Sequence, residues 1–244
     1  MTCPNCHSPN TETKFCPSCG QQSEVHRLSV SHLMHELNHA LTHTDKGFLL
    51  LMKDLVLRPG HVAKEYIEGK RKKYFNPLTF LVITSAIAAY LSYKAGYYQA
   101  FIGPNGKAHR VYMESMELMI ENSKLFELIL IFPLIALFSW ILFRRKTYNF
   151  AENAVLAAFI LGEMNLVKVC IGLPLFLLSG LSVQTIDKVF HVIILVYFVI
   201  AFRQFFQQNI FITIIKTVLL TLGYIAGYWI AIISFVMIKN LILH

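Results

Sequence analysis

Five stretches of this chain are long and apolar enough to cross a lipid bilayer as helices, and nothing else constrains its fold as tightly. They run near 77–99, 125–143, 151–179, 188–206 and 210–238. A crossing helix needs about 20 apolar residues. Inside hydrocarbon, only helices and closed barrels satisfy every backbone polar group. With 55% hydrophobic and 15% charged residues, the chain is too apolar for an ordinary soluble domain. The expectation is an all-α membrane protein with about five transmembrane helices. The third and fifth segments exceed one crossing, which predicts tilt or bending, and Pro174 lies within the third. The first thirty residues hold four cysteines and many polar groups, unlike a signal peptide, so the first membrane helix is expected to act as its own insertion signal.

Basic residues set the expected orientation. Ten Lys and Arg precede Phe75, including the run Lys70-Arg71-Lys72-Lys73, and Arg144-Arg145-Lys146 follow the second segment. This bias places the N-terminus in the cytoplasm and, for five crossings, the C-terminus outside. The net charge of +8 then reflects topology and contact with anionic phospholipid. Nucleic acid is not expected as a partner, because the basic run abuts a membrane helix without interleaved aromatics.

Residues 3–19 read CPNCHSPNTETKFCPSC. Two Cys-x-x-Cys pairs nine residues apart predict two knuckles whose thiolates Cys3, Cys6, Cys16 and Cys19 close a tetrahedral zinc ribbon over residues 1–22. A reducing compartment argues against disulfides. Four protein ligands leave no open position, so the zinc is structural, and so short a segment needs that staple to fold. Gly20 stands where such a knuckle needs a left-handed turn. Cys170, apart in the third membrane segment, reads as a small buried hydrophobe.

Residues 32–45 read HLMHELNHALTHTD and contain His-Glu-x-x-His. On a helix capped by Ser29 or Ser31, His32, His35, His39 and His43 share one stripe, opposite Leu33, Leu37, Ala40 and Leu41. A zinc peptidase would use His35 and His39 as ligands and Glu36 as general base, with a third ligand from elsewhere. Asp45 has a suitable spacing, but Thr42 stands where a turning glycine is needed. Three readings remain, with a polar helix face ranked first: that face, a second metal or proton-sensing site, and a peptidase.

Residues 29–75 form a cytoplasmic juxtamembrane block. Phe48, Leu51, Met52, Leu55 and Val56 make one apolar stripe; Arg58-Pro59-Gly60 breaks it; a second short helix spans His61–Glu68 and stops at Gly69. The basic run, Tyr74-Phe75 as interfacial aromatics, and Asn76-Pro77 as a helix start follow. Such a block either lies on the inner membrane surface, with Lys70, Arg71, Lys72 and Lys73 on anionic lipid, or packs under the membrane domain at 76–244.

Together, CPNC…FCPSCGQ, HALTHTDKGF and LRPGHVAKEYIEGKRKKYFNPLTFL resemble a bacterial inner-membrane family of unknown function, over roughly residues 1–81. The resemblance implies a zinc ribbon, a juxtamembrane block and several membrane helices, and supplies no catalytic residue.

Within the membrane segments, Glu163 and Lys168 are the charges that invite a functional reading, as an ion or substrate path or as interhelical contacts. Gly223 and Gly227 form a small-residue face suited to close packing. The leading expectation is a non-enzymatic inner-membrane protein that docks a protein partner or anionic lipid, with a helical domain that anchors the chain or assembles with copies of itself. The alternatives are a membrane-bound zinc metallopeptidase and a small transporter or channel.

Overall fold

The computed structural model describes residues 2–9, 13–23, 27–31, 33, 48–97, 100, 127–143 and 148–243. His32, His35, Glu36, His39, His43, Asp45, Arg144 and Arg145 lie outside these residues.

The described helices are α1 (Phe48–Leu57), α2 (Pro59–Ile67), α3 (Pro77–Lys94), α4 (Glu127–Leu142), α5 (Phe150–Ser179), α6 (Val183–Phe206) and α7 (Ile210–Leu243). Their boundaries are written in local chemistry. The Asn76 side chain accepts from the Leu78 and Thr79 amides at 3.0 and 3.1 Å, and Pro77 starts α3. A reciprocal capping box joins Asn149 and Glu152 at the start of α5. Gly180 and Gln207 adopt left-handed backbone where α5 and α6 end.

Among the described residues, four helices are long and apolar enough to cross a membrane: α3, α5, α6 and α7. The second predicted crossing, 125–143, is described only from Glu127 onward. Its segment holds α4, a π turn of five residues followed by eleven α-helical residues. At 1.5 Å per residue the described part reaches about 24 Å. A proline follows the π turn in both interrupted helices. Pro133 follows the π turn Glu127–Ile131, and Pro174 lies just beyond the π turn Lys168–Gly172 in α5. Cys170 sits in that second turn and is exposed, not buried as expected; the inward side of the turn is taken by Gly172 and Leu173.

The central helix is α5, whose spanning window is 67% buried, against 17% for α7. It can be approached closely because Gly162 presents no side chain: a Cβ there would stand 2.5 Å from the Phe80 ring of α3. Gly223 and Gly227 of α7 do the same for Phe138 and Leu134 of α4, as their spacing predicted. One core runs through the juxtamembrane block and the long helices. It includes Leu51, Leu55, Val62, Tyr66, Phe80, Phe159, Phe198 and Phe202.

The juxtamembrane helices are therefore packed into the molecule. At Gly60, α2 meets α6 backbone to backbone, and the Gly60 amide donates to Gln204 Oε1 at 3.1 Å. The Tyr197 hydroxyl of α6 donates to the Leu55 carbonyl at 2.9 Å. Tyr74 and Phe75 are only 3% and 5% exposed. They are core residues, contrary to the expected interfacial aromatics, because the chain between α2 and α3 turns them inward, where Phe75 meets Phe48 edge-on.

Candidate metal centre and juxtamembrane charge network

The N-terminal segment folds as two equivalent knuckles. In the first, the His7 amide donates to the Cys3 carbonyl at 3.0 Å and the Cys3 amide to the Ser8 carbonyl at 3.0 Å. In the second, Gly20 donates to Cys16 at 2.8 Å and Cys16 to Gln21 at 2.7 Å. The residue after each second cysteine takes left-handed backbone, His7 at φ 58° and Gly20 at φ 71°. Gly20 does so without strain, as the sequence predicted. His7 is the unforeseen counterpart, because a non-glycine residue carries no local signal for that conformation. Single antiparallel bridges, Thr2 with Pro9 and Phe15 with Gln22, close the base of each knuckle.

The four thiol sulfurs of Cys3, Cys6, Cys16 and Cys19 lie within 4.8 Å of one another. Cys3 and Cys19 are 3.6 Å apart, as are Cys6 and Cys16. A tetrahedral zinc with bonds of about 2.3 Å sets its sulfurs about 3.8 Å apart. The donor set and the spacing therefore fit a tetrahedral, thiophilic ion. The Ser8 hydroxyl, 3.0 Å from Cys6 and 3.3 Å from Cys16, favours their thiolates and brings Cys16 down to about 6.

The cysteine element is tied to the helices at two places. The Lys72 amide donates to Gln21 Oε1 at 3.1 Å, so the basic run touches the second knuckle. Just beyond, Arg27 grips Glu152 at the start of α5 through two bonds of 2.9 and 3.1 Å, and Asn149 donates to the Leu28 carbonyl at 2.9 Å.

The basic run is divided in its duties. Lys72 is exposed. Lys73 pairs with Glu65 at 2.8 Å, and Lys70 reaches the same carboxylate at 3.6 Å. Glu65 belongs to a network absent from the sequence reading. Arg58 binds Asp54 at 2.6 Å and Glu65 at 3.1 Å, and donates to the Tyr74 hydroxyl at 2.9 Å. That hydroxyl lies 2.7 Å from Glu65 and 3.0 Å from Asp54. Burial alone would raise the Glu65 carboxyl, but the bonds from Lys73 and Tyr74 overcome it and hold the group at about 2. Asp54 is held below its ordinary value by Arg58 and Tyr74, against the same burial. Burial, Glu65 and Asp54 all push the Tyr74 phenol upward. The Asp54–Arg58 spacing of four was a legible helical pair; the reach of Tyr74 from beyond α2 was not.

Lys168 and Glu163 do not form a pair. Lys168 turns to Asp187 of α6 at 3.7 Å and lies 4.6 Å above the Tyr97 ring, while Tyr97 donates to the same aspartate at 2.7 Å. Glu163 is buried, and its Oε2 has no hydrogen-bond partner among the described residues. A further buried cluster was missed. Asn165 donates to Glu127 at 2.7 Å and to Ser85 at 3.0 Å, joining α5, α4 and α3. Glu127 is the first described residue of α4, and its charge at the edge of an apolar segment was the available signal.

The fold and these sites define a helical protein with, among the described residues, four helices long and apolar enough to span a membrane and a tetracysteine cluster near its N-terminus. Residues 45–89 match the family described as "Protein of unknown function (DUF3667)". The match covers α1, α2, the charge network and the basic run, and ends within α3. No curated protein and no solved structure matches the chain.

Proposed function

We propose that this is a non-enzymatic, multi-pass protein of the bacterial inner membrane with a cytoplasmic N-terminus. Its zinc ribbon and basic juxtamembrane block would form one platform that docks a protein partner or anionic phospholipid. The observation that carries this reading is the joint between them. The second knuckle holds the basic run through Gln21 and Lys72, while Arg27 holds the start of α5. A four-thiolate site presents no open metal position for a substrate, so its contribution is shape and placement. Lys72 stays exposed beside it, where an anionic surface would meet positive charge.

A second reading, a small transporter or channel, draws on the unpartnered Glu163 oxygen. Lys168, its presumed co-worker, is engaged with Asp187 and Tyr97, which favours a packing role for that charge. The metallopeptidase reading rests on His35, Glu36 and His39 alone.

The deciding measurement is zinc per chain in purified protein, compared with the His35→Ala/His39→Ala variant. One zinc in both is expected. Two falling to one would reveal a histidine site, and loss of cellular function in Glu36→Gln at normal protein level would then make the peptidase the leading reading. Changing Lys70, Arg71, Lys72 and Lys73 to Gln should weaken insertion or lipid association while zinc is retained.

A further inference from the structure

Helix α1 has two apolar faces, and the core uses one of them. Phe48, Leu51, Met52 and Leu55 turn inward at helical spacing, with Leu51 and Leu55 fully buried. Leu49, Leu50, Lys53, Val56 and Leu57 fall together on the other side, within an arc of about 120°. Leu49, Val56 and Leu57 are 60–77% exposed, and Leu50 and Lys53 are exposed beside them. A contiguous apolar surface of this kind marks a protein or a membrane contact.

The position of α1 selects the membrane. Its first residue, Phe48, packs on Phe75 and Phe80 at the start of α3, with ring centroids 5.7 Å apart in both pairs. Its last turn is held to α6. The Tyr197 hydroxyl donates to the Leu55 carbonyl at 2.9 Å, and the Gln204 side-chain amide donates to the Leu57 carbonyl at 3.4 Å. So α1 is strung between the start of one long helix and the last turns of another. At 1.5 Å per residue, Gln204 and Tyr197 lie about 3 and 14 Å in from the end of α6 at Phe206. The apolar outer surface of the long helices reaches that same end. Residues 207–209 join α6 directly to α7, whose second residue, Phe211, is 71% exposed and is followed by exposed Ile212, Ile214 and Ile215. In a membrane, the hydrocarbon that covers these residues extends to the level of the last turn of α1. An interfacial amphipathic helix buries its apolar face about 5–10 Å into the boundary between headgroups and acyl chains.

The charges of the α1–α2 hairpin agree with that setting. Asp54, Arg58 and Glu65 pair with one another and with the Tyr74 hydroxyl. Lys53 is the charge on the outer arc, and a lysine stem can run along apolar surface while its ammonium reaches lipid phosphate. We propose that α1 is a monotopic element of the inner leaflet, with Leu49, Leu50, Val56 and Leu57 inserted among acyl chains beside α3 and α6. This apolar arc is a lipid contact separate from the Lys70–Lys73 run, and it rests on the membrane reading given above.

The test places a dansyl amino acid at one position at a time in the full chain, reconstituted in vesicles of phosphatidylglycerol and phosphatidylcholine. Quenching is measured with phospholipid spin-labelled part-way down its acyl chain. A label replacing Phe211 is the lipid-facing reference, and a label replacing Lys72 is the reference for an exposed residue beside the cysteine knuckles. Labels replacing Leu49 and Leu57 should be quenched at least about half as strongly as the label replacing Phe211, and well above the one replacing Lys72. The two positions lie at opposite ends of α1, so one remains readable should the other variant fold poorly. Quenching at both no greater than at Lys72 would overturn the proposal. A photoreactive benzophenone amino acid replacing Leu57 reads the same face in cells. Adducts to lipid are expected, and a discrete adduct to a second copy of the chain or to another protein would overturn the proposal. Strong quenching at Phe211 with none at Leu49 and Leu57 sinks only the α1 contact, whereas no quenching at Phe211 sinks the membrane reading with it.

Discussion

Gly60→Ala should destabilise the protein by about 2–4 kcal/mol, because it places a methyl group between two helix backbones. A Cβ at this position would stand 2.3 Å from the Ala201 carbonyl oxygen, 2.5 Å from the Phe205 nitrogen and 2.6 Å from the Gln204 Cβ. The first two are backbone atoms of α6 and cannot rotate aside, so α2 must retreat by about 1 Å to restore ordinary contact distances. That retreat stretches the 3.1 Å bond between the Gly60 amide and Gln204 beyond useful range, at a cost of about 1 kcal/mol. It also opens a gap over Val62, Ala63 and Tyr66, all buried. A gap of about 1 Å forfeits a quarter to a half of the contact energy at such a surface. Burial of each large apolar side chain contributes about 1.5–3 kcal/mol. The lower unfolded-state entropy of alanine returns less than about 1 kcal/mol. The assay is thermal unfolding in detergent, paired with limited proteolysis at the lysines of α2 and the basic run, which should become accessible. Gly180→Ala is the control: its added Cβ meets nothing within 4 Å, so only left-handed strain applies, about 1 kcal/mol. Wild-type stability and protection in Gly60→Ala would show that α2 does not lie on α6 at this distance.

Cys16→Ser together with Cys19→Ser should abolish zinc binding and expose residues 2–23 to protease, since metal binding supplies the folding free energy of so small an element; zinc retained at one ion per chain would refute this. The Glu65 carboxyl is held at about 2, below its ordinary value of 4.5, so its contribution is fully present above pH about 4.5 and is lost as pH falls towards 2. Unfolding curves at successively lower pH should show that loss, and Tyr74→Phe, which removes one of the bonds holding Glu65 down, should make the loss shallower. Reporter fusions should place residues 144–149 in the cytoplasm; an external signal there would reverse the proposed orientation.

Much of this protein is decided by interactions between near neighbours in the chain, and these were legible. The Cys-x-x-Cys knuckles turn within six residues, so their spacing and Gly20 announce them. Asn76-Pro77 starts α3 because a cap needs only the next three amides. Apolar length alone marked α3, α5, α6 and α7, since bilayer thickness is an external ruler. The small face of Gly223 and Gly227 was equally plain, although the partner that fills it, α4, was not. Tertiary structure alone decided the rest, because the partners are far apart in sequence and carry no periodic signal. Tyr74 and Phe75 look like membrane-interface aromatics until the fold turns them into the core. Arg27 and Glu152 meet across 125 residues, and Lys168 finds Asp187 on the next helix and not Glu163 on its own. Gly60 reads as a simple helix breaker after Pro59. Only the backbone of α6, lying against it, shows that the missing side chain is what lets the juxtamembrane helices and the long helices share one core.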